Sequence, residues 1–391
     1  MSTNESETLS ARALRLLRYL EHDSSNLQLR LDAIAEVLQC NSLDTADGLI
    51  VDGMALHPRS PQLHVQSADV ALARGDYHRA LSALENALMI ECGDRVLTYN
   101  KAFLQACLGQ YREALETMSQ LPSVDGLMTE QVLLSARCWQ CLGEPERAVG
   151  ILECVAAEPD ATAEVIGLYA LLLHDCGRTI EAVAPSDRAL AMDPLQFEAR
   201  LVRASDAVRA GDRIRAHGEY KKALEVRPND VRAWLEVARI EVAEGNFSDA
   251  GAALQRLLGM IPENAALWLV LGWCHLMNED APSCRKAFEQ ALQLDSENAS
   301  VLACMAVLEL SLGGIAASGE HLANARRIDP DDAATRLAQV LLYRAQGDEG
   351  AAAIELMAIQ DDMPVIAGAL EGLLHRPVKG VVAISGGPTL H

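Results

Sequence analysis

The 391-residue chain is poor in aromatic side chains, 4% in all, and poor in positive charge: 33 Lys and Arg face 55 Asp and Glu, a formal net charge of −22. Binding to nucleic acid or anionic lipid is carried by Lys and Arg that neutralise phosphates, so this balance argues against both kinds of partner. Long apolar runs are also missing. None approaches the roughly 18–20 residues of a membrane span, and Met1-Ser2-Thr3-Asn4-Glu5 begins without the basic and apolar regions of a signal peptide. A soluble, cytoplasmic chain without membrane insertion is expected. The ten cysteines form no regular framework in a small scaffold, which fits reduced thiols.

Catalytic signatures are equally sparse. Cys138 and Cys141 form one Cys-x-x-Cys with no second pair, and read as buried or groove thiols rather than a zinc or redox site. No His-Glu-x-x-His occurs, no Gly-x-x-x-x-Gly-Lys phosphate loop, and the Gly-Gly-Pro near the C-terminus lacks a strand-then-helix setting. The carboxylates are dispersed as on solvated helix faces. No cofactor, no metal and no enzymatic activity are expected.

What the chain has instead is repetition. Pro194, Pro228 and Pro262 are 34 residues apart, with Pro58 and Pro330 at multiples of that interval. Gly75, Gly109, Gly143, Gly177, Gly211 and Gly245 follow the same period, resumed at Gly313 and Gly347. A third series is Ala46, Ala80, Ala114, Ala148, Ala182, Ala216 and Ala250, continued by Cys284, Ser318 and Ala352. The clearest copy holds Trp234, Ala238, Gly245, Phe247, Ala250, Leu254 and Pro262; the next holds Trp268, Gly272, Phe288 and Ala291.

This pattern resembles the tetratricopeptide repeat over ten units beginning near residues 27, 61, 95, 129, 163, 197, 231, 265, 299 and 333. The resemblance implies an all-α, right-handed superhelical solenoid in which each unit is a hairpin of two antiparallel helices. Small residues at the eighth position (Ala68, Ala102, Ala136, Ala170, Ala204, Ala238, Gly272, Ala306) and the twentieth let the two helices approach; a larger one would cost roughly 1–3 kcal/mol. Glycine at the fifteenth ends the first helix in the left-handed conformation, and proline at the thirty-second stops the second. One hairpin cannot bury its apolar faces alone, so neighbours supply the core.

Departures from the pattern carry their own expectations. Leu121-Pro122 cuts repeat three short and points to a break near residues 121–128; Pro185 should kink or shorten the second helix of repeat five. Ile34 and Val340 replace the small eighth residue in the terminal repeats. The organisation read from this is a tail and capping helix over 1–26, with Leu9, Ala13, Leu16, Leu17 and Leu20 on one stripe, then the array over 27–359. Residues 360–391 hold a second capping helix near 364–375 and an extended tail.

In such arrays the fifth and ninth positions of the first helix face the concave groove. Most aromatics, among them Trp234, Trp268, Trp139, Tyr77, Tyr220 and Phe288, fall on core positions; Tyr99, Phe103 and Trp273 fall on groove positions. The candidate partner-binding residues are Tyr99, Phe103, Arg137, His174, Leu235, Arg239, Leu269, Trp273, Leu276, Val307, Leu310 and Leu341, with Arg137 and Arg239 as isolated positive points. The family's carboxylate clamp needs Lys at the fifth and Asn at the ninth position. Here stand Leu133 with Arg137 and Leu235 with Arg239, so a Glu-Glu-Val-Asp type C-terminus is not the expected ligand. The expected function is a protein-interaction scaffold that binds an apolar peptide or helix of a partner. The alternative is a chaperone or a secretion or assembly accessory that holds a client through adaptable Cys107, Cys141 and Met277. A regular polar code for RNA is lacking.

Overall fold

The computed structural model describes residues 9–121 and 128–362, and among these all regular structure is helical. After α1 (Ala11–His22) come ten hairpins. The first five are α2 (Leu27–Gln39) with α3 (Leu43–Leu56), α4 (Pro61–Ala73) with α5 (Tyr77–Ile90), α6 (Arg95–Cys107) with α7 (Tyr111–Ser119), α8 (Met128–Cys141) with α9 (Pro145–Ala157), and α10 (Ala163–Asp175) with α11 (Thr179–Met192). The next five are α12 (Phe197–Arg209) with α13 (Arg213–Val226), α14 (Val231–Glu244) with α15 (Phe247–Met260), α16 (Ala265–Met277) with α17 (Ala281–Leu294), α18 (Ala299–Ser311) with α19 (Ile315–Ile328), and α20 (Ala333–Ala345) with α21 (Glu349–Asp362). The chain divides into two compact halves, Met1–Val202 and Arg203–His391, with the division inside α12.

Local chemistry sets these boundaries. Asn26, Asp94, Thr162, Asp230, Asn264, Asn298 and Asp332 cap first helices, each side chain accepting the backbone N–H three residues on. At the other end each first helix is closed by a residue with positive φ, and the series is complete: Asn41, Gly75, Gly109, Gly143, Gly177, Gly211, Gly245, Glu279, Gly313 and Gly347. The following N–H reaches back five residues, as from Asp76 to Ala71 (2.8 Å) and from Asp280 to His275 (2.9 Å), closing a Schellman motif in all ten. Where tryptophan opens a helix, its indole N–H fixes the incoming turn: Trp234 donates to the Pro228 carbonyl at 2.7 Å and Trp268 to that of Pro262 at 2.9 Å.

The core follows the small residues. Every twentieth-position side chain is buried, including Cys284, Ser318 and Ala352, and so are Ile34 and Val340 at the eighth. Gly272 has no alternative: a Cβ there would lie 2.2 Å from the ring of fully buried Phe288. Ala13 and Leu20 of α1 are buried, with Leu9 and Leu17 packed on the cluster of Ile34, Val37 and Ile50, so α1 covers the open face of the first hairpin.

Two expectations are corrected. Of the two effects expected of Pro185, a kink or a shortening, the shortening does not occur: helix α11 keeps the full fourteen residues, and Ser186 Oγ donates to the Val183 carbonyl at 2.7 Å. Tyr77 is exposed at the start of α5 rather than part of the core. Helix α7 has only nine residues, as the early Leu121-Pro122 stop requires, while the connection at 122–127 and the capping helix expected near 364–375 lie outside the described residues. Among the described residues no helix is long and apolar enough to cross a membrane.

Candidate partner-binding surface

Successive first helices touch one another directly: α2 with α4, α6 with α8 and α8 with α10 in the N-terminal half, α16 with α18 and α18 with α20 in the C-terminal half. Their outward residues therefore form a strip in each half, where the fifth and ninth positions recur side by side.

In the N-terminal strip Phe103 is 46% exposed, and Val96, two turns earlier on the same face of α6, is exposed as well. Tyr99 is half-buried against the cluster of Ala102, Ala114 and Leu134. Burial pushes the Tyr99 phenol up, and the negative charges of Glu130 and Glu164 add to that shift. Leu133 and Leu171 are buried. His174 Nδ1 lies 3.8 Å from Asp175, whose other oxygen accepts from Gln140 Nε2 at 2.8 Å.

Arg137 is not an isolated charge. Its Nη2 lies 3.0 Å from Glu164 and 3.2 Å from Glu198, the latter almost fully buried. Glu198 is held in turn by Gln196 Nε2 at 2.6 Å, and Gln196 Oε1 caps α12 through the Ala199 N–H. Gly167, at the fifth position of repeat five, makes room for this: a Cβ would lie 2.2 Å from the Gln196 amide. The chain fills its own groove here. Arg239 is likewise paired, with Glu236 on its own helix at 2.7 Å, though the guanidinium stays largely exposed. Sequence reading missed the Arg137 partners because that pairing crosses repeats, where the signal was Glu130, Glu164 and Glu198 recurring at 34 residues; the Arg239–Glu236 pair lies three residues apart on one helix.

In the C-terminal half Leu235, at the fifth position of α14, is 39% exposed. Leu269, Trp273 and Leu276 are half-buried and pack on the cluster of Cys284, Phe288 and Val301. Val307 and Leu341 pack on the cluster of Ala303, Ala306 and Leu322. Leu310 belongs to that cluster and is 6% exposed, so it is a core residue and not part of the surface. A cleft of about 380 Å³ opens elsewhere in this half, lined by Trp268, Leu271, His275, Ser283 and Lys286 among others.

Three of the buried thiols are held in their neutral form. Burial pushes Cys138 and Cys274 up to about 11 and Cys284 to about 12, so these sulfurs stay protonated at neutral pH.

Comparison with known proteins bears on the same repeats. Residues 201–262 and 241–308 match two tetratricopeptide-repeat family models. Cellulose synthase operon protein C of Pseudomonas fluorescens is 24% identical over 388 residues, covering 93% of this chain and 30% of its own length. Protein CTR9 homolog of Arabidopsis thaliana is 32% identical over 92 residues, 23% of this chain and 8% of its own. The chain thus spans 30% or less of the length of these curated relatives. The solved structure of Pseudomonas aeruginosa pilF aligns with a TM-score of 0.40 at 19% identity, over 55% of this chain and 97% of its own. With ten hairpins in one 34-residue register and each first helix closed by a left-handed residue, the chain is a tetratricopeptide-repeat protein.

Proposed function

We propose that the chain is a non-catalytic scaffold of the cytoplasm that binds an apolar segment of a partner protein along its first-helix strips. The observation that carries this reading is the exposure of large apolar side chains where the first helices face outward, Val96, Phe103 and Leu235 above all. Water-exposed apolar groups set beside half-buried Tyr99, Leu269, Trp273, Leu276, Val307 and Leu341 are the material of an interface. Arrays of this family generally serve as protein-interaction scaffolds, and the charge of −22 favours a protein over a polyanion as partner. Arg239 and His174 supply polar contacts at the edges of the strips.

Affinity capture from the native host, comparing the parent with Leu235→Glu and Ile315→Glu, tests this. Both side chains are exposed, but Ile315 is on a second helix. The reading requires specific partners to be lost with Leu235→Glu and kept with Ile315→Glu; equal retention would contradict it.

A second reading, an accessory that holds a client during assembly, draws support from exposed Cys107 and Cys141 and from the match to cellulose synthase operon protein C over most of the chain. Suppression of the thermal aggregation of unrelated enzymes would favour it. A dedicated scaffold leaves that aggregation unchanged.

A further inference from the structure

Arg137 shows, within the fold itself, how this groove receives a guanidinium. It comes from the ninth position of repeat four and lies between the second-position glutamates of the next two repeats, Glu164 at 3.0 Å and Glu198 at 3.2 Å. One repeat earlier the carboxylates are present again, as Glu130 and Glu164. The ninth position there is Phe103, so no arginine of the chain occupies the equivalent place.

The surroundings fit a missing cation. Glu130 is exposed and has no ion pair among the described residues, while Glu164 keeps much of its carboxylate in solvent beyond its bond to Arg137. Both charges reach Tyr99. Phe103 and Val96 offer exposed apolar surface on the same helix, Val96 at 57%. At this register three glutamates, Glu130, Glu164 and Glu198, stand against the one guanidinium of Arg137.

We propose that the N-terminal strip takes an arginine of a partner segment, its guanidinium between Glu130 and Glu164 and against the ring of Phe103, with flanking apolar residues on Val96 and Tyr99. This rests on the scaffold reading above and specifies the chemistry of its partner. Charge-assisted hydrogen bonds to two carboxylates and a cation–π contact favour arginine over a neutral side chain and reject an acidic one.

Two experiments on the full chain test it. The first needs no ligand: Phe103→Arg places a guanidinium at the vacant register, and Phe103 is exposed enough to be replaced without opening the core. In thermal denaturation, Glu130→Gln should lower the melting temperature more in the Phe103→Arg background than in the parent. Equal effects in both backgrounds would show that the two positions do not meet as Arg137 and Glu164 do. The second measures fluorescence anisotropy with three fluorescein-labelled peptides, Ala-Leu-Leu-Arg-Leu-Leu-Ala and its counterparts with central Glu or Leu. The arginine peptide should bind about 10-fold more tightly than the glutamate peptide, and Glu130→Gln should weaken it several-fold while leaving the leucine peptide unchanged. If all three peptides bind alike and only Leu235→Glu weakens them, the arginine site is refuted and the scaffold reading stands. If none binds, both are refuted.

Discussion

Ser318 stands where eight of the ten repeats have alanine; it is fully buried, and its hydroxyl has no hydrogen-bond partner. A buried unpaired hydroxyl carries its desolvation cost uncompensated, so Ser318→Ala should raise stability by about 1 kcal/mol in urea unfolding. The opposite holds at Gly272, where the Phe288 ring occupies the space of a Cβ: Gly272→Ala should destabilise by about 1–3 kcal/mol although alanine is the better helix former. Glu279 is the non-glycine of its series in the C-terminal half, held at φ 60°. Replacing it with glycine removes a left-handed strain of about 1 kcal/mol, in part offset by chain entropy, so a small gain in melting temperature is expected. All three sites were legible as register positions. What the sequence did not carry was the size of the facing residue, which decides whether a departure is strain or complement, and the partners of Arg137.

At the scale of the helix, punctuation was the most readable feature, because caps and left-handed closures are local bonds between residues three to five apart. The reading failed where a neighbour compensates. Pro185 leaves α11 at full length, since most of that helix's stability comes from packing on α10 and not from one backbone bond. Ion pairs between helices were likewise hidden. Asp47 on α3 accepts from Arg74, at the end of α4, and from Arg79 on α5 at 3.1 Å, while Arg74 also reaches Asp44 at 2.6 Å. Burial alone would raise the Asp47 carboxyl, but the bonds from Arg79 and Arg74 outweigh it and hold the group below its ordinary value. A lowered carboxyl stabilises the fold above its unfolded pKa, and that contribution is lost as the pH falls through the folded one. Asp47→Asn should therefore cost up to about 1 kcal/mol at pH 7, the arginines being partly exposed, with the difference from the parent shrinking below about pH 4. Urea midpoints across that range measure it.

At the scale of the whole chain, stability is close to a sum over neighbouring hairpins, so damage stays local. Hydrogen exchange of the Gly272→Ala protein should show faster opening in α16, α17 and the helices packed on them, with α4 and α5 unchanged. The repeat count was legible because ten copies reinforce one period. The proposed binding surface was legible only in part, because a groove position says where a side chain starts and not what covers it: Leu310 proved to be core, Arg137 is neutralised, and Phe103 and Leu235 remain open. The central claim is that the outward residues of the first helices contact the partner. Its most direct test is a photo-crosslinking amino acid placed singly at Phe103, Leu235, Ile180 and Ile315 in the native host. Discrete adducts at Phe103 and Leu235, with none at the second-helix positions Ile180 and Ile315, are predicted; adducts confined to Ile180 and Ile315 would contradict it.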